Sequence, residues 1–180
     1  DWSSDVCSSD LTARVFFACS EVMHGLFRGC DGLDGCLPDH LTPEFAAACP
    51  PFDFHLPLLT LPVALGTTLG TVPARVPYLT PHPSWPRYDL PPTTRMKKIG
   101  LVWAGSPRHG KDKWRSVEPE AFQPLIDARP DVQFYALQCG PRAHEAARLR
   151  DVIDLAPTIG DWTDTAQALA QLDLLISVDT

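Results

Sequence analysis

The sequence has no run of 18 uncharged apolar residues, which excludes a membrane-spanning helix. Its first residues show neither a basic start nor an apolar core of the secretory type, so an unexported, cytoplasmic protein is expected. Positive charge is scarce: 15 Lys and Arg stand against 22 Asp and Glu, a formal charge of −7, and nucleic acid is not the partner such a balance favours. Cysteine offers no framework either. No C-x-x-C pair occurs among the six, which fits neither a zinc ribbon nor a small disulfide scaffold, and reduced, partly buried thiols are expected. His24, His40, His55, His82 and His144 fall on different segments without ligand spacing, so no metal is predicted. What is present, 44% hydrophobic and 21% charged residues over 180 positions, is ordinary globular composition.

Residues 1–11, Asp1-Trp-Ser-Ser-Asp-Val-Cys-Ser-Ser-Asp-Leu11, carry no amphipathic period and resemble the translation of a sequencing-library adapter. They are expected to be a non-native artefact that packs against nothing. Without Asp1, Asp5 and Asp10 the balance is 15 basic against 19 acidic side chains, or −4, and five cysteines remain.

From residue 13 the pattern is a short apolar strand (14–18), then a helix from Ser20 to about Gly29, and brief strands at 35–37 and 52–59. Pro57 argues that the last of these bends away or lies at an edge. Seven prolines fall between Pro73 and Pro92, which forbids a continuous helix or central strand there. The interdomain connection is placed in this stretch. Downstream the alternation sharpens: strands at 98–104, 132–137, 152–155 and 174–178, with helices at 118–128, 141–150 and 163–171. Short connections in such a series predict a parallel sheet wrapped by helices, whose ligands bind outside the carboxyl ends of the strands.

The loop after the first of these strands reads Gly105-Ser-Pro-Arg-His-Gly-Lys-Asp-Lys-Trp-Arg-Ser116, with five basic side chains counting His109. In an acidic chain, that concentration at a strand's carboxyl end suggests an anionic ligand such as phosphate. Charge alone fits a solvated basic loop equally well. The segment from Gly105 to Lys111 also matches G-x-x-x-x-G-K, the phosphate-binding loop of nucleotide hydrolases. Asp112, however, stands where that loop needs a hydroxyl for magnesium, and the next helix is expected only several residues later, near Pro119. Trp103, inside a strand, is expected in the core, and Asp161 and Asp164 as helix caps.

Several segments follow one another in a recognisable order: Gly100-Leu-Val-Trp-Ala-Gly-Ser-Pro107, Lys113-Trp-Arg-Ser116, Leu137-Gln-Cys-Gly-Pro141, Asp161-Trp-Thr-Asp-Thr-Ala166 and Asp173-Leu-Leu-Ile-Ser-Val-Asp-Thr180. The set resembles the C-terminal domain of the bacterial ADP-heptose:lipopolysaccharide heptosyltransferase family, nearest to its tetratricopeptide-repeat-associated members. Upstream, Pro50-Pro-Phe-Asp-Phe-His-Leu-Pro-Leu-Leu-Thr-Leu-Pro62 and Gly66-Thr-Thr68 resemble the late part of that group's N-terminal domain.

The resemblance implies an α/β, GT-B-like fold of two Rossmann-like domains, both incomplete here. Residues 12–80 would be the later part of the acceptor-side domain, 81–96 the proline-rich linker, and 97–180 the first part of the nucleotide-sugar-binding domain. It implies metal-independent, inverting transfer of a sugar from a nucleoside-diphosphate donor to an acceptor hydroxyl on a glycan or other molecule, in cell-envelope or surface glycan assembly. No cofactor is implied beyond the donor substrate, and a peripheral contact with the inner membrane is compatible with this role. Gly105 and Ser106 would approach the diphosphate, Lys113 would pair with it, and Arg115 would support the same charge. Gln138 and Trp162 would border the nucleoside. Asp179 would face the donor sugar, and Thr180 would open the motif whose backbone amides bind phosphate. The catalytic base is expected upstream of residue 12, so no catalytic residue is assigned, and the fragment is expected to be inactive alone. Two other readings stay open: a P-loop-like nucleotide hydrolase, and a non-catalytic α/β nucleotide-binding domain.

Overall fold

The computed structural model describes residues 13–28, 30, 32–39, 49–74, 76–79 and 81–179. Residues 1–11, His40 and Thr180, on which expectations were placed above, lie outside the described residues. The chain divides into two units between Ser84 and Trp85, inside the proline-rich stretch.

In the first unit, β1 (Phe16–Cys19) leads into α1 (Glu21–Phe27) and returns to β2 (Gly35–Pro38), which pairs parallel to β1 with Phe16 opposite Gly35. Ser20 occupies the cap position of α1 without a side-chain hydrogen bond. His24 takes over the anchoring: its Nε2 lies 3.0 Å from the Cys19 carbonyl and 3.2 Å from that of Leu37, hooking the helix onto the carboxyl ends of both strands.

The strand expected at 52–59 does not form. Its end is a 3-10 turn at Leu58–Thr60 followed by one helical turn, α2 (Leu61–Ala64). Pro57 has no N–H for a ladder, and its φ of −60° instead starts the turn, which Thr60 closes by donating both its amide (2.9 Å) and its hydroxyl (2.7 Å) to the Pro57 carbonyl.

The second unit holds a four-stranded, all-parallel sheet: β3 (Lys97–Val102), β4 (Val132–Ala136), β5 (Val152–Asp154) and β6 (Leu174–Ser177), in the spatial order β5-β4-β3-β6. The protein is thus α/β with parallel sheets. Alternation along β4 sends Val132, Phe134 and Ala136 into one core, with Leu101, Trp103 and Ile126, and Tyr135 and Leu137 into another, with Tyr88, Leu90, Leu155 and Ala168. A parallel sheet covered on both faces in this way has to be apolar on both, and β4 is buried along its whole length. Gly100 keeps one face thin: a Cβ there would come within 2.6 Å of Leu172 Cδ1 and 2.8 Å of Leu137 Cδ1.

Two expected helices take other forms. The one at 118–128 is a 3-10 turn (Pro119–Phe122) that passes into α4 (Gln123–Asp127), because Pro124 lacks the N–H that a continuous α-helix would donate to residue 120. The one at 141–150 is a nine-residue 3-10 helix (Gly140–Arg148). At three residues per turn, Arg142, Glu145 and Arg148 form one row, and both arginines pair with Glu145. The last helix, α5 (Trp162–Ala170), is capped by Asp161, which accepts from the Thr163 and Asp164 amides. No helix among the described residues is long and apolar enough to cross a membrane.

Candidate functional site

Reading the four strands in chain order, the sheet runs third, second, first, fourth. After β3 the chain builds outward through β4 and β5, then returns to lay β6 on the other side of β3. The connections leaving β3 and entering β6 therefore lie on opposite sides, and the crevice at the carboxyl ends of these two strands is where an open parallel sheet receives its ligand.

The segment leaving β3 is the basic loop, and its neck is closed by defined bonds. The Val117 amide donates to the Trp103 carbonyl (2.9 Å), and the Gly105 amide donates to Ser116 Oγ (3.1 Å). Ser116 Oγ in turn donates to Asp112 Oδ1 (2.7 Å). Between the two feet, one helical turn, α3 (Asp112–Arg115), begins directly after Lys111. The helix expected to wait until Pro119 is thus preceded by a turn at the very place a P-loop would start one. It ends at Ser116, whose backbone is extended, so it forms no long helix with a phosphate-binding terminus.

Arg115 crosses from this turn to the end of β6. Its Nε donates to the Asp179 carbonyl (2.7 Å) and lies 3.2 Å from the Asp179 carboxylate, with the arginine side chain only 24% exposed and the aspartate 87%. Lys113 sits two residues back, its ammonium 5.1 Å from the centroid of the exposed Trp114 ring, and has no ion-pair partner among the described residues. Ser106 stands just beyond the neck; its Oγ accepts from the Arg108 amide at 3.4 Å.

Behind the loop, the fully buried Trp103 donates Nε1–H to Glu145 Oε2 (2.8 Å). The hydrogen bond from Arg142 holds the Glu145 carboxyl below its ordinary range, so this carboxylate is a fixed counter-ion for Arg142 and Arg148 of its own helix. Gln138, two residues past the end of β4, is 5% exposed and hydrogen-bonded to the backbone of Trp103 and Ala104.

Of the residues singled out in the sequence, the structure brings Gly105, Ser106, Arg115, Gln138 and Asp179 to one end of the sheet around β3. Trp162 opens α5 after β5, half exposed beside the Asp161 cap. Thr180 lies outside the described residues. The neck pair of Asp112 and Ser116 was not foreseen as part of the site. Its only sequence signal is a carboxylate and a hydroxyl four residues apart, the spacing at which one helical turn brings them together. Among the described residues no group of three or more His, Cys, Asp and Glu side chains is arranged to hold a metal ion. Set against known protein families, curated proteins and solved structures, the chain matches none of them.

Proposed function

We propose that this chain carries the donor-binding part of a GT-B nucleotide-sugar glycosyltransferase, similar to the heptosyltransferases, acting in the cytoplasm on a glycan or other hydroxyl acceptor. The observation that carries this reading is the meeting of a basic loop from β3 with Asp179 from β6 at the switch point of the parallel sheet, bridged by Arg115. A leaving nucleoside diphosphate gains negative charge as the bond from its β-phosphate oxygen to the anomeric carbon breaks. Cations fixed at that place stabilise the transition state more than the bound donor. In this reading Lys113, exposed and without an ion-pair partner among the described residues, meets the diphosphate. Arg115, already held against β6, supports the same charge from a fixed position.

Calorimetric titration with ADP and UDP, with magnesium and with chelator, tests the proposal. Binding is expected without metal, weakened at least tenfold by Lys113→Ala and by Arg115→Ala, and unchanged by Lys111→Ala. Where transfer is measured, each of the first two substitutions is expected to cost on the order of 2–4 kcal/mol, roughly 10² to 10³ in rate. A requirement for magnesium together with loss of binding in Lys111→Ala would instead identify a P-loop-like hydrolase, which the helical turn directly after Lys111 makes the specific rival. Indifference to every nucleotide would leave a non-catalytic α/β domain.

A further inference from the structure

We infer that Gln138 is a positioning residue that sets the neck of the basic loop, and so the placement of its cations. This role for the anion site rests on the donor-binding reading above.

The pairing of β3 with its neighbours runs out just before the loop: the last bonds are Leu137 N–H to the Leu101 carbonyl (3.0 Å) and Val178 N–H to the Val102 carbonyl (3.1 Å). Trp103 and Ala104, the next two residues, are buried. Their amides would have no strand to bond, and a buried amide without a partner is costly. The Gln138 side chain supplies the missing peptide group. Its Oε1 accepts from Trp103 N–H (3.1 Å) and Ala104 N–H (2.9 Å), and its Nε2 donates to the carbonyls of Ala104 (3.1 Å) and Cys139 (3.1 Å). A primary amide has two donors and an oxygen with two lone pairs, so its capacity is fully used on backbone. No polar atom of Gln138 is left for a nucleoside.

The position of this substitute strand gives it its consequence. Ala104 is followed by Gly105, one foot of the neck, and the Trp103 carbonyl receives the other foot through Val117 N–H. Gln138 therefore fixes where the loop of Lys113 and Arg115 departs from the sheet without touching what the loop binds.

The test uses Gln138→Met, which keeps the length of the side chain but removes every hydrogen bond, and Gln138→Glu, measured on the complete chain by amide hydrogen exchange and by ADP titration. In Gln138→Met the Trp103 and Ala104 amides are expected to exchange about tenfold faster or more, and ADP affinity to fall with them. In Gln138→Glu one carboxylate oxygen can still accept from the Trp103 and Ala104 amides, but the other faces the Ala104 and Cys139 carbonyls, and that repulsion is expected to push the side chain out of place and expose the same amides at neutral pH. Burial raises the pKa of such a carboxyl, and once protonated it regains one donor. Protection of Trp103 and Ala104 should then recover on acidification, relative to wild type at the same pH, which a simple loss of packing would not produce and the methionine variant should not show.

The inference is overturned if Gln138→Met leaves the two amides protected, or if it exposes them while ADP binds with wild-type affinity. Should Gln138→Met unfold, absence of acid recovery in Gln138→Glu overturns it equally. A wild-type chain that fails to bind ADP overturns the donor-binding reading instead, and the exchange data still decide whether Gln138 sets the neck.

Discussion

Asp161 shows how much a single side chain can settle. One carboxylate oxygen accepts from the Thr163 amide (2.7 Å) and the Asp164 amide (3.1 Å), and also from the Thr163 hydroxyl, whose hydrogen bond is the main reason the carboxyl titrates below its ordinary range. A depressed pKa means that the stabilisation is present above the unfolded carboxylate value, about 3.9, and is lost as pH falls through the folded value. Asp161→Ala is expected to cost about 1 kcal/mol at neutral pH. Asp161→Asn should retain most of the cap, because an amide oxygen can accept the same bonds, while removing the titration. Urea denaturation at neutral and acid pH checks this: the gap between wild type and Asp161→Ala should narrow on acidification, while that between Asp161→Asn and Asp161→Ala should not, and a wild-type gap independent of pH would contradict it. Asp161 was legible as a cap because its partners are two and three residues away. Gln138 was not, because the amide it satisfies at Ala104 lies 34 residues earlier and no local pattern announces the pairing.

At the scale of elements, α5 does more than cover the sheet. Gln167 donates to the Pro86 carbonyl (2.8 Å) and accepts from Tyr88 N–H (3.1 Å), and Gln171, one turn on, donates to the Tyr88 carbonyl (2.9 Å) and accepts from Leu90 N–H (3.1 Å). Two amides at helical spacing thus read alternate residues of an extended strap, whose Tyr88 and Leu90 enter the core. Tyr135 adds a hydrogen bond from its hydroxyl to the Pro91 carbonyl (2.9 Å). Chymotrypsin tests the strap directly. Cleavage is expected after Tyr78, 84% exposed, and resisted after Tyr88, 9% exposed; Gln167→Ala combined with Gln171→Ala should open the second site. Equal cleavage at both tyrosines in the wild-type chain would show that the strap is not held. The proline count marked this stretch as neither helix nor central strand, but its partners sit some 80 residues downstream. In the same way, helix periodicity located the segments at 118–128 and 141–150. It did not give their winding: Pro124 interrupts the first, and the second winds as a 3-10 helix that sets Arg142, Glu145 and Arg148 in one row.

At the scale of the whole molecule, the stretch from Phe52 to Tyr78 leaves Phe52, Phe54, Leu59, Val63, Leu69, Val76 and Tyr78 exposed. Apolar side chains crowded at this density on a surface favour association. The chain is expected to self-associate with rising concentration in sedimentation and to bind an apolar dye; a monodisperse monomer that leaves the dye dark would contradict this. The sequence by itself determined the alternation of strand and helix, and with it the α/β class and the parallel sheet. It also located the basic loop at a strand's carboxyl end, because apolar periodicity and charge are properties of neighbouring residues. Only the tertiary structure decided that β6 lies beside β3, and therefore that Arg115 meets Asp179 across 64 residues. It also decided that a buried glutamine, not a strand, completes the backbone where the loop begins. Strand order depends on which apolar faces close against each other in space, and hydrogen-bond satisfaction depends on what is buried once they have.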